Sequence, residues 1–265
     1  IETNFQNSIK NNINIIITKC IFDDNQGKFA NGIYVTNSPN EQIFISNCTF
    51  NDCGKEGYIV SLQSNVDSII IENCTFDFLK DLKSLKVIGI HSSTDCLSLR
   101  GNTFHNFQNA ILHMICLLNQ RNRFELIENN IISSSKNTLF YVENSLTMSP
   151  IIKGNRFENI RISDTFIVWK LDNDIKSIIF DNNTFNNFKT YSHFGGVGLD
   201  LNHRNKEISF YLQFNNCYFM NNKNSDHTDQ GVISCDFNMN NGNIELSLFE
   251  CYFENNYKNQ LGSSI

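Results

Sequence analysis

The sequence predicts an all-β fold, a parallel β-helix solenoid of about nine coils with three short strands per coil. Three observations carry that expectation. A short apolar run followed by a small residue, a spacer and an aromatic recurs nine times, the apolar positions within each run alternate, and a bend residue stands just before every aromatic. A period of roughly 20–50 residues marks a stacked array, in which each unit buries its apolar face only against its neighbours.

The aromatic position holds Phe22, Phe50, Phe76, Phe104, Ile132, Phe157, Phe185, Phe219 and Phe253, at intervals of 28, 26, 28, 28, 25, 28, 34 and 34 residues. Seven and five residues earlier stand apolar pairs, among them Ile15 and Ile17, Ile43 and Ile45, Ile69 and Ile71, Leu97 and Leu99, and Leu212 and Phe214. That is the period of two of a strand with one buried face. Two residues before the aromatic comes a further inward position: Cys20, Cys48, Cys74, Asn102, Asn130, Asn155, Asn183, Cys217 and Cys251. A one-residue slip would turn every later side chain outward, so two residues must turn a corner between a first strand and a second.

The second corner residue is Lys19, Asn47, Asn73, Gly101, Asn129, Gly154, Asn182, Asn216 and Glu250; seven of the nine are Asn or Gly. Those two residue types enter the left-handed region at least cost. After the aromatic, a polar loop of variable length leads to a third strand, read at 32–35, 58–62, 87–90, 110–114, 139–142, 166–171, 196–201 and 231–237. Three strands per turn make a parallel β-helix. The lone Trp169, in a strand of alternating parity, is expected to fill a core layer.

The tight Asn-bearing bend, the inward column of small polar residues and the variable loop resemble the right-handed, pectin-lyase-like β-helix. Phe22-Asp23-Asp24-Asn25, Phe219-Met220-Asn221-Asn222 and Phe253-Glu254-Asn255-Asn256, with strand starts such as Gly195-Gly196-Val197 and Gly231-Val232-Ile233, are similar to the FxxN and GG-apolar repeats of the polymorphic outer membrane protein family. The likeness of fold covers nearly the whole chain, and FxxN is complete in three of nine units. The resemblance implies a surface-exposed adhesin or passenger domain.

Residues 1–265 are expected to form one solenoid rising about 4.8 Å per coil, hence about 45 Å long, and to be a segment of a longer protein. Only two Pro occur against 43 Asn, a composition of corners and short strands. The net charge of −6 with scattered Lys and Arg excludes a nucleic-acid-binding stripe. No apolar run reaches bilayer-spanning length, so no membrane insertion by this segment is expected. Residues 3–5 read as the tail of a preceding unit and 261–265 as a third strand that stops, so uncapped ends invite end-to-end association into a larger assembly.

Nine Cys form no zinc-like spacing, and those in the inward column read as small hydrophobes with free thiols. Asn102, Asn130, Asn155 and Asn183 continue that column, where stacked amides can bond to one another and to the backbone. Three glycosylation sequons begin at Asn47, Asn73 and Asn182, all at the outward corner position.

Catalysis on such a scaffold requires paired carboxylates on a groove, or a Ca²⁺ site with a basic partner. Asp200 and Asp236, on third strands of consecutive coils, with His203, Arg204, Asp226, His227 and Asp229 nearby in sequence, are the candidate pair. Tyr34, Tyr141, Tyr218 and Tyr252 are outward aromatics able to stack on a sugar ring or a protein partner. The expectation is therefore a non-catalytic structural or adhesive module, extracellular or at the cell surface, with a protein or glycan partner and no cofactor. Its alternatives are a filament or intracellular cytoskeletal component, and a polysaccharide-cleaving enzyme.

Overall fold

A computed structural model describes residues 2–4, 13–25, 30–36, 40–53, 56–63, 66–77, 84–91, 94–106, 111–115, 123–132, 139–143, 149–162, 166–171, 177–190, 197–203, 209–224, 232–238 and 243–258. These residues form three parallel nine-stranded sheets and one four-stranded sheet, with no helix. A rung begins with a long strand such as Val66–Glu72, turns into a three-residue strand such as Thr75–Asp77, and closes, in the first eight rungs, with a third strand such as Ser84–Ile90. Each strand pairs with its counterpart one rung on, as the repeat required. The preceding tail is present too: Glu2–Asn4 pairs with Ala30–Thr36.

In-register pairing puts like side chains on like. Along the three-residue strands, Phe22, Phe50, Phe76 and Phe104 stack with ring centroids 4.7, 4.7 and 4.9 Å apart and planes within 5° of parallel. Beyond the fifth rung the file resumes through Phe157, Phe185, Phe219 and Phe253 at 5.1, 4.9 and 4.8 Å. Burying each phenyl is worth roughly 1.5–3 kcal/mol, and each favourable ring pair roughly 0.5–1.5 more. Gly32, within the third strand Ala30–Thr36, makes room for Phe50, since a Cβ there would lie 3.0 Å from a Phe50 ring carbon. Trp169 is 1% exposed and packs edge-on against Phe124, a core residue as its parity implied.

All nine corners are left-handed, with φ between 51° and 65° from Lys19 to Glu250. The bend does not interrupt the ladder: Asn73 N–H donates to Arg100 O at 2.9 Å, and Thr75 N–H donates to Cys48 O at 2.9 Å. Behind the corner the inward column behaves as one polar file. Asn102, Asn129 and Asn155 each donate their backbone N–H to the Oδ1 of the next amide at 2.9–3.0 Å. Their Nδ2 groups, with that of Asn183, donate back to carbonyls of the previous rung, Ile71, Leu99, Leu126 and Ile152.

The fifth rung corrects the sequence reading by one residue. Ile131, not Ile132, sits between Phe104 and Phe157; Asn129, not Asn130, holds the inward position; Glu128, not Asn129, is the left-handed corner. The intervals there become 27 and 26 residues. The run Asn129-Asn130-Ile131-Ile132 fits the local pattern in either register, and a corner Asn favours the shifted one. The buried amide decides: it satisfies the Asn102 N–H and the Leu99 and Ile127 carbonyls on two rungs, whereas a left-handed Glu costs only about 1–2 kcal/mol.

The coil also has a second left-handed corner two residues after the aromatic, at Asp24, Asp52, Asn106, Asn159, Asn187, Asn221 and Asn255. In four later rungs it leads into a two-residue strand, Arg161–Ile162, Lys189–Thr190, Lys223–Asn224 or Tyr257–Lys258, and the first three of these rungs carry four strands among the described residues, not three. The last residue of FxxN explains itself here. Asn222 is 2% exposed, accepts from Phe188 N–H and donates to Phe185 O, which makes a second short amide file with Asn256.

The register correction is testable by a pair of substitutions. Asn129→Leu orphans the Asn102 N–H and the Leu99 carbonyl, each costing about 1–3 kcal/mol, so a loss of about 3 kcal/mol or more is expected in denaturant unfolding. Asn130 Oδ1 is buried without a hydrogen-bond partner, and its register neighbour is Thr103; Asn130→Thr should change stability by less than about 1 kcal/mol. The reverse ranking would restore the shifted register.

Candidate functional site

Tyrosines expected at a surface separate into two groups. Tyr34 and Tyr141 share an outward column of the third sheet, but Ser61, Gly89 and His113 lie between them, so they stand four rungs or about 19 Å apart. Both are half-buried, and Tyr34 Oη donates to Gln63 Oε1 at 3.1 Å. Tyr218 and Tyr252, by contrast, pair across adjacent three-residue strands with ring centroids 6.0 Å apart. They are 45% and 49% exposed, and Tyr211, on the long strand of the same rung as Tyr218, is 39% exposed. Six of the eight large exposed apolar side chains among the described residues lie in the last two rungs.

The candidate carboxylates are brought together in register, Asp200 opposite Asp236. Asp200 is half-buried and outward, next to inward Leu199; the side chain of Asp236 lies outside the described residues, as does that of His203. Arg204, Asp226, His227 and Asp229 also fall outside them. Among the described residues no group of three or more His, Cys, Asp or Glu is gathered in a way that could hold a metal ion.

Asn47, Asn73 and Asn182 all lie exposed at the first corner, with φ of 52°, 52° and 53°. Asn73 extends along the corner toward the next rung, where a Cβ on Gly101 would lie 2.6 Å from its Oδ1. Each sequon Thr, at 49, 75 and 184, is outward and half-buried on the strand that follows.

A charged network on the outer face of the long-strand sheet escaped sequence reading. Glu125 is only 3% exposed although it points outward; it accepts from Ser98 Oγ at 2.9 Å and pairs with Arg100 and with Arg123, the latter at 2.6 Å. Burial alone would raise its pKa, but hydrogen bonds from Arg100 and Ser98 and the charges of both arginines outweigh it and hold the carboxyl below its ordinary range. The residues stand at 98, 100, 123 and 125, and only register brings them together. Farther along this face, an open groove of about 420 Å³ has Ile151 and Ile179 on its floor and a 2.9 Å Lys153–Asp181 ion pair on its rim.

The inward thiols occupy the amide positions of other rungs and copy their bonding. Cys48 N–H donates to Cys74 Sγ at 3.4 Å as Cys74 N–H donates to Asn102 Oδ1, and Cys217 Sγ donates to Phe180 O at 3.5 Å. The described cysteines are all free. Burial pushes Cys74, Cys217 and Cys235 up to about 12 from an ordinary 9.0, and also raises Cys48, Cys53 and Cys96.

No protein-family model matches the sequence, and searches of curated proteins and of solved structures each find no similar protein.

The raised thiols set a pH window. The folded chain favours the neutral thiol, so this contribution to stability is complete below pH 9, the unfolded value, and is lost as pH rises toward 12. The unfolding midpoint should therefore fall steadily above pH 9, and Cys74→Ser or Cys217→Ser should flatten that decline. At neutral pH a thiol-alkylating reagent should leave Cys74 and Cys217 unmodified until the chain unfolds; rapid alkylation of both in the folded protein would contradict the buried column.

Proposed function

We propose that this β-helix is a non-catalytic adhesive and structural module displayed at a cell surface, a rigid rod whose outer columns present side chains to a protein or glycan partner. The observation that carries the reading is the exposed Tyr218–Tyr252 pair, 6.0 Å apart on hydrogen-bonded strands of adjacent rungs. Rigid tyrosines offer large amphipathic contact area at small entropic cost, which is why they recur at recognition surfaces. The FxxN and GG-apolar phrases, similar to those of surface adhesins, support the same class, and fold alone does not fix it.

Binding of the intact protein to a glycan array and to cell-surface protein preparations tests the proposal. Replacing Tyr218 and Tyr252 together by Ala should weaken the captured interaction tenfold or more, about 1.4 kcal/mol, with unfolding midpoint unchanged. Equal binding by the double variant, or no captured partner, would refute it.

The in-register Asp200–Asp236 pair favours a second reading, cleavage of a polysaccharide. New reducing ends or unsaturated products from a polysaccharide panel, abolished by Asp200→Asn, are its expected outcome; their absence removes it.

A further inference from the structure

We propose that the first corner is a line of N-linked glycosylation, with carbohydrate on Asn47, Asn73 and Asn182 and a bare stretch of three rungs between the second and third sites. The inference rests on the surface-display part of the reading above, because the modification requires a secretory route, but it does not depend on which partner is bound.

In rung seven two asparagines stand side by side, and the sequon Asn182-Asn183-Thr184 assigns the attachment to Asn182, since Asn183 has Phe185 and not Ser or Thr two residues on. The fold separates them. Asn183 is 0% exposed, with Nδ2 donating to the Ile152 and Asp181 carbonyls at 2.9 and 3.1 Å, whereas Asn182 is turned outward by its left-handed φ of 53°. The same inversion operates at Asn47 and Asn73, each followed by a buried Cys that takes the inward position. Asn47 Nδ2 donates to Ser46 Oγ at 3.3 Å, a bond that uses one of its two hydrogens and that a secondary amide still makes. At the three intervening rungs the corner holds Gly101, Glu128 and Gly154, none of which can carry an N-glycan. Glycans would therefore project from one edge in two groups, along the same edge that Tyr218 and Tyr252 follow.

The cysteines within the sequons do not oppose this placement. Cys48 and Cys74 are 1% exposed with raised pKa values, so their thiolates, the reactive forms, are suppressed in an oxidising compartment. The chemistry is a transfer from a lipid-pyrophosphate-linked oligosaccharide. Asn Nδ2 forms a bond to the sugar C1, the C1–O bond to pyrophosphate breaks, Nδ2 loses one proton, and the lipid pyrophosphate leaves.

Peptide mass analysis of the protein purified from the cells that make it, before and after enzymatic release of N-glycans in heavy-oxygen water, reads the three sites directly. Glycan mass on Asn47, Asn73 or Asn182, converted on release to labelled Asp, is the expected result, and Asn183 should stay unmodified. Thr49→Ala, Thr75→Ala and Thr184→Ala keep each corner Asn in place, and each should remove one glycan-sized step in gel mobility. Unmodified Asn at all three positions in the native protein would overturn the proposal. Protease accessibility on intact cells separates the two readings: an accessible but unglycosylated protein rejects the glycan line and leaves surface display standing.

Discussion

The parallel backbone ladder that joins each rung to the next is the constraint on which everything else depends. Because strands pair in register, a residue's neighbours along the axis are its counterparts one repeat away, and any side chain that stacks well on itself is favoured at every level. Phenyl rings repeat at 4.7–5.1 Å through the core for that reason. Amides repeat behind the corner because each supplies the acceptor that the backbone N–H of the rung before it requires. The corner itself must be left-handed, or the inward parity established on the long strand would be lost on the short one.

Thiols and amides share one column because they solve the same problem with different strength. An amide satisfies the adjacent N–H and carbonyl with full hydrogen bonds, and a thiol makes the same pair of contacts weakly while gaining apolar packing with the phenyl file. The middle rungs, where Asn102, Asn129, Asn155 and Asn183 stand together, form an unbroken polar file, with Cys74 and Cys217 at its two ends. The column is polar enough to fix register and apolar enough to remain part of the core.

Function on this scaffold belongs to the outside, where register acts as a ruler. It pairs Tyr218 with Tyr252 and Asp200 with Asp236, and it places Glu125 between two arginines more than twenty residues apart in sequence from end to end. It also keeps Tyr34 and Tyr141 apart although they share a column, so the four tyrosines are not one surface.

The amino-acid order by itself determined the solenoid, its three main sheets, the buried file of aromatics and most corners, because a period of two within a longer repeat leaves few ways to bury one face. It also placed the sequons at an outward position. The tertiary structure alone decided the fifth rung, where Asn129-Asn130-Ile131-Ile132 satisfies the local rules twice and only the neighbouring amides choose between registers. It alone decided the second corner and the fourth strand, whose Asp and Asn residues resemble ordinary loop in sequence. The buried Glu125 network was illegible for the same physical reason: contacts between rungs are set by hydrogen-bonded register across intervening loops of unequal length, which no local pattern contains.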